Sequence, residues 1–154
     1  MAGPRRRSRE IAQQILHQID AGGEPDAALA VRRYFAHLAS EGGPAIDDDA
    51  EAEPGAARID RPLVEELVRG VSEHRGEIDA LLTDLSRSWR LERMAVVERN
   101  IIRIALYELA HCPSVPVSVV INEAVELAKR YGTAEGAAFV NGLLERGAAD
   151  LRKE

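Results

Sequence analysis

Residues 96–109 read VVERNIIRIALYEL, and this stretch decides the fold. At about 100° per residue of an α-helix, its apolar side chains cover well over half of the circumference. A narrow polar arc remains, which holds Arg99, Asn100, Arg103 and Tyr107. A helix at a protein surface needs only one apolar stripe, so a helix this apolar must be surrounded by others. The stretch therefore predicts the central helix of an all-α domain.

Two carboxylates interrupt the apolar arc of this helix. Glu98 lies near its start, where the helix dipole favours an anion, whereas Glu108 lies in the last turn, where the dipole opposes one. We therefore expect Glu108 to be structural, with a polar partner on a facing helix or loop. A contact with a partner protein is the less favoured interpretation of Glu108.

The length and composition predict one helical domain over residues 1–154. Aromatic residues make up only 4% of the chain, whereas alanine, leucine, glutamate and arginine are abundant, which favours helices over sheets. No apolar run approaches the roughly 18 residues that a membrane span needs, so we expect no membrane partner. The single cysteine, Cys112, excludes an internal disulfide and fits a reduced cytoplasm.

The net charge of −6 is unevenly distributed. Residues 41–57 carry six acidic residues and no lysine or arginine, so the rest of the chain balances 20 basic against 20 acidic residues. Residues 1–10, in contrast, hold four arginines and one glutamate. The acidic segment has one large aliphatic residue, Ile46, and cannot bury enough surface to offset its ordering. We predict that residues 41–57 form a disordered acidic loop.

The spacing of apolar residues along the chain predicts about seven helices and no strand. Gly22-Gly23 should end the first helix, Asp60 and Thr133 should cap two later ones, and residues 1–7 should be frayed. The helices are expected at about residues 8–20 and 25–39, from 60 to beyond 71, from 76 to near Trp89, and at about 96–109, 116–131 and 133–151.

The sequence contains no recognisable enzyme motif. It has no phosphate-binding glycine loop after a strand, no HExxH pattern and no cluster of cysteine and histidine. The histidines are scattered, at positions 17, 37, 74 and 111. We therefore expect no catalysis, no cofactor and no metal site.

The predicted first helix carries a polar stripe that suits nucleic-acid binding. Arg6, Arg9, Gln13 and His17 fall within about 80° of one another on a helix. Arginines can contact phosphates, and glutamine and histidine can add hydrogen bonds or stacking with unpaired bases. A solvated face with a basic tail explains the same pattern equally well.

Four blocks together resemble the NusB family of transcription antitermination factors. They are RRRSREIAQQIL at 5–16, VERNIIRIALYEL at 97–109, VPVSVVINEAVELAKRYG at 115–132 and FVNGLLE at 139–145. The resemblance implies two small helical subbundles that share a central helix, and a function without catalysis. It also implies binding to the boxA element of nascent ribosomal RNA, together with the ribosomal protein NusE, within an RNA polymerase antitermination complex that passes terminators.

The resemblance assigns candidate binding residues, one position at a time. The RNA-contacting basic cluster corresponds to Arg5, Arg6, Arg7 and Arg9, and His17 stands where family members carry an aromatic residue. Tyr131 and Phe139 resemble RNA-facing aromatic positions, although their spacing is equally compatible with the core. Outward-facing Lys129 can add a phosphate contact.

The resemblance also assigns a candidate contact with NusE. Glu98 lies at the predicted NusE-binding surface around the central helix. A first-turn glutamate favoured by the helix dipole explains Glu98 equally well.

The sequence is also compatible with two further classes of protein. One is a homodimer in which a second copy covers the RNA-binding face. The other is the NusB-like domain that precedes certain RNA cytosine methyltransferases. Because the chain ends at Glu154 without a cofactor-binding domain, we expect no methyl transfer.

Overall fold

The computed structural model describes residues 4–41, 59–86 and 94–152. Within these ranges the chain forms seven α-helices and no strand, which confirms the predicted all-α class. The acidic segment from residue 42 onward and Trp89 lie outside the described residues. The helices are α1 (Pro4–Asp20), α2 (Ala27–Ser40), α3 (Arg61–Glu73), α4 (Arg75–Leu85), α5 (Val96–His111), α6 (Val117–Tyr131) and α7 (Ala134–Leu151).

The chain divides into two compact units, residues 1–72 and 73–154. Neither unit has a helix, among the residues described, that is both long and apolar enough to cross a membrane.

In the first unit, α1 begins at Pro4 and includes Arg5 to Arg7, so the prediction that residues 1–7 are frayed is wrong for these positions. Proline supplies a φ suited to the first helical turn, and an ion pair between Arg7 and Glu10 (3.2 Å) supports the turn that follows.

Local signals end and cap the helices of the first unit as predicted. Gly22 adopts a φ of +94°, which is open to glycine and ends α1 after Asp20. Asp60 accepts a hydrogen bond from the Leu63 N–H at the start of α3. The Asp60 N–H donates in turn to Ser8 Oγ at 2.7 Å, which joins α3 to α1.

In the second unit, α5 packs against α4, α6 and α7. Every residue from Asn100 to Leu109 is buried, as the prediction of a surrounded helix requires. Three residues of the narrow polar arc are buried as well, because Asn100, Arg103 and Tyr107 are at most 7% exposed.

Arg103 is buried because α4 supplies its counter-ion. Its guanidinium donates two hydrogen bonds to the Asp79 carboxylate, at 2.7 and 3.1 Å, and a third to Asn100 Oδ1 at 3.0 Å. Arg75 Nε lies 3.5 Å from the same carboxylate. A bidentate pair with an added amide acceptor satisfies a buried arginine, so α4 and α5 are held in one register.

Arg152, which follows α7, caps the C-terminal end of α5. The Arg152 guanidinium donates hydrogen bonds of 2.8–3.2 Å to four carbonyl oxygens, those of Glu108, Leu109, Cys112 and Val115. Three of these belong to the last turn of α5 or its C-cap, where the helix dipole favours a cation. Arg152 therefore joins the end of α7 to the α5–α6 turn.

We predict that Arg152→Ala lowers the free energy of unfolding by about 2 kcal/mol, because several charge-assisted hydrogen bonds are removed. Arg152→Lys should restore only part of this, since an ammonium lacks the planar fork of donors. Urea denaturation measures both. Arg33→Ala is the matched control: Arg33 is a largely exposed arginine with one carboxylate 3.4 Å away, and its loss should cost little. Equal effects of the two alanine variants would contradict the capping role.

Candidate nucleic-acid interface

The N-terminal arginines of α1 form a basic helix start. Arg5 is exposed, whereas Arg6 and Arg7 are partly exposed. The first turn contains no acidic residue, although Arg7 reaches forward to the buried carboxylate of Glu10 at 3.2 Å. The N–H groups at a helix start and nearby arginines both attract phosphate. This end of α1 can therefore bind an anionic chain.

The predicted polar stripe along α1 is only partly accessible. Arg9 and Gln13 are each 3% exposed, so the expectation that the stripe lies open over its full length is wrong. His17, at its far end, is exposed. The physical reason is that α1 packs against α2 and is joined to the start of α3 through Ser8, so its central turns are enclosed on several sides. Contact of RNA with Arg9 or Gln13 requires these side chains to rearrange.

A second basic group in the same unit was missed by the sequence analysis. Arg32, Arg61 and Arg69 line a cavity of about 340 Å³ between α2 and α3. Arg61 lies over the Phe35 ring at 4.8 Å and pairs with Glu65 at 3.1 Å. Its members come from two helices, so spacing within a single helix gave no signal for the cluster.

In the second unit, the candidate residues on α6 lie at its C-terminal end. Lys129 is exposed and lies 3.7 Å from Glu126. Tyr131 is 36% exposed, which removes the alternative that it belongs to the core. The Arg130 guanidinium lies 5.7 Å from the centre of the Tyr131 ring. A cation and an exposed aromatic ring in one place suit contact with phosphates and unstacked bases.

Phe139 and Glu98 share one cavity of about 190 Å³. The Glu98 carboxylate lies against the first turn of α7, where a Cβ on Gly136 would come within 2.7 Å of Glu98 Oε2. The glycine thus leaves room for the carboxylate. Phe139 is half-buried. The cavity is lined by Met94, Ala95, Glu98, Thr133, Glu135, Gly136 and Phe139.

Burial raises the pKa of the Glu98 carboxyl above its ordinary value of 4.5 by desolvation. Ionisation of Glu98 therefore lowers the stability of the folded state. A purely structural glutamate at a helix start gains from the dipole instead, so the position of Glu98 is compatible with a contact that a partner completes.

The chain matches the model of the NusB family over residues 6–149. The transcription antitermination protein NusB of Syntrophotalea carbinolica is 44% identical over 94% of this chain and 92% of its own length. That of Myxococcus xanthus is 40% identical over 98% of this chain and 99% of its own. A solved structure of T. maritima NusB superposes with a TM-score of 0.73 at 32% identity, covering 97% of this chain and 94% of that one.

We predict that Glu98→Gln stabilises the protein at neutral pH. A carboxyl whose pKa is raised in the folded state binds its proton more tightly there than in the unfolded state, so stability falls as the pH rises through the interval between 4.5 and the raised value. Glu98→Gln has no carboxyl at this position, so its stability should not show this decrease. Its advantage in Tm should be present above that interval and should vanish below pH 4.5.

Glu145→Gln removes an exposed carboxylate of α7 and serves as the control. Thermal unfolding of the three proteins across the pH range measures the effect. A Glu98→Gln variant less stable than the wild type at neutral pH would show that the carboxylate is a net stabilising group.

Proposed function

The chain belongs to the NusB family and is a transcription antitermination factor, and from this premise we propose how it acts. It binds a boxA-type element of nascent ribosomal RNA together with the ribosomal protein NusE, and helps RNA polymerase to pass terminators. The observation that carries the proposal is the resemblance to antitermination proteins over nearly the whole chain. The site of action is the cytoplasm, and the proposal requires no cofactor.

In this proposal the start of α1 is the principal phosphate-binding site. Arg5, Arg6 and Arg7 occupy the first turn of α1, where the helix dipole makes cations unfavourable. A bound phosphate would offset this unfavourable interaction, because the arginines and the N–H groups at the helix start would both attract the anion. Support thus comes from both the exposure of these arginines and their position against the dipole.

Base contacts are assigned to the second unit. Tyr131 offers an exposed ring on which an unstacked base can lie, and Lys129 offers an exposed ammonium. Phe139 is half-buried and can contribute only the exposed part of its side chain. On α1, exposed His17 can stack on a base more weakly than the aromatic residue expected at that position.

The contact with NusE is assigned to the cavity around Glu98. A partly buried carboxylate beside a half-buried aromatic ring offers a partner both an acceptor and apolar surface. On this interpretation Glu98→Gln weakens the binding of NusE while it stabilises the free protein.

We predict that Arg5→Ala/Arg6→Ala weakens binding to a single-stranded boxA-like RNA, in the presence of NusE, by about tenfold or more. The slope of log K against log salt should become shallower by about 0.7 for each phosphate that the variant no longer neutralises. These two positions are preferred to Arg9, whose burial would mix a loss of stability with a loss of binding.

Arg33→Ala/Arg146→Ala is the matched control, because it removes the same charge from exposed positions on α2 and α7. It should change the affinity little. Equal weakening in both double variants, or equal affinity for boxA-like and scrambled RNA, would contradict the assigned site. Absence of binding even with NusE, with a dimer seen in sedimentation, would favour the homodimer instead.

A further inference from the structure

Three side chains capable of binding metal meet where α4 begins and α5 ends. His74 immediately precedes α4, Glu77 lies in its first turn, and His111 is the last residue of α5. One nitrogen or oxygen atom from each lies within 4.8 Å of the others. His74 is half-buried, and the other two residues are exposed. An ion can therefore reach the group directly from solvent.

The two imidazoles are stacked, with ring centres 4.2 Å apart and an angle of 26° between the planes. The Tyr107 ring lies 5.1 Å from that of His111 and is buried, so it forms an apolar wall on one side. Glu77 Oε2 lies 3.5 Å from His74 Nδ1.

The backbone that carries these side chains is well fixed. The Arg103–Asp79 pair joins α4 to α5 at 2.7 Å, and Arg152 secures the end of α5. Arg152 already donates hydrogen bonds to the carbonyl oxygens of Glu108, Leu109 and Cys112. The side chains of the group, rather than these carbonyls, are therefore the expected metal ligands. Sites carried by fixed helices need only side-chain rotation to reach their binding geometry.

We propose that His74, Glu77 and His111 bind a divalent transition-metal ion, with Zn²⁺ the ion that fits best. Two imidazoles and one carboxylate are a common ligand set for zinc, and a water completes the tetrahedron. Metal–ligand bonds of about 2.0–2.2 Å in a tetrahedron place donor atoms about 3.3–3.6 Å apart, so the group closes by rotation of the side chains. Mg²⁺ and Ca²⁺ prefer oxygen ligands and are disfavoured. The ion would join α4 to α5.

Calorimetric titration of the tag-free, full-length chain with Zn²⁺ tests the proposal. We expect one ion per chain. His74→Gln and His111→Gln should each raise the Kd at least as much as the roughly 10–100-fold that removal of a residue orienting a metal ligand costs, and Glu77→Gln should raise it as well. Mg²⁺ should not bind at this site.

His37→Gln is the matched control. In the wild type, His37 lies 3.4 Å from the Glu41 carboxylate at the end of α2. The variant therefore removes a histidine that also has a carboxylate beside it but lies outside the proposed site. This variant should bind Zn²⁺ as the wild type does. Equal weakening in His37→Gln and His74→Gln, or no binding by the wild type, would overturn the proposal.

Two further readouts separate metal binding from an effect on folding. Zn²⁺ should raise the Tm of the wild type and of His37→Gln but not that of His111→Gln, because only a folded site binds the ion. Co²⁺ in place of Zn²⁺ should give visible absorption bands in the wild type that are absent from both site variants. Stabilisation by Zn²⁺ that persists in His111→Gln would place the ion elsewhere. The RNA-binding proposal is independent of each result.

Discussion

The burial of α5 is the constraint on which the second unit depends. Apolar burial along this helix supplies the favourable term, but each polar group carried inside must find a partner or it costs more than it contributes. Asp79 of α4 meets that requirement for Arg103, and Arg152 meets it for the carbonyls at the helix end. The neighbours of α5 are thus fixed both by apolar packing and by the polar groups that α5 buries.

The sequence was sufficient where a structural feature depends on neighbouring residues. Asp60, Thr133 and Gly22 act as cap and stop signals through atoms within four residues of themselves, and the structure places them as predicted. Helical periodicity also located α5, because apolar spacing reports burial directly. Periodicity gave no sign that Arg103 is buried, since its burial depends on the Asp79 carboxylate of another helix.

The candidate site shows the same division. The arginines at the start of α1 were predicted from the sequence and lie in a helix start with partial or full exposure. The burial of Arg9 was missed, because a helical wheel gives a direction but not the neighbour that occupies it. The grouping of His74 with His111 was equally out of reach, since it depends on how the start of α4 meets the end of α5.

Charged side chains at two places in the chain carry a penalty, from a helix dipole in one case and from burial in the other. Arg5 to Arg7 crowd the positive end of a helix dipole, and the Glu98 carboxyl is desolvated beside Gly136. Elsewhere the chain follows the electrostatic rules closely, as the Arg152 cap and the Arg103–Asp79 pair show. Departures from local rules that bring no stability are expected where a binding partner supplies the compensating charge. The two departures lie in the two regions to which we assign RNA and NusE, so the same physical reasoning supports both assignments without reference to how the two units are arranged.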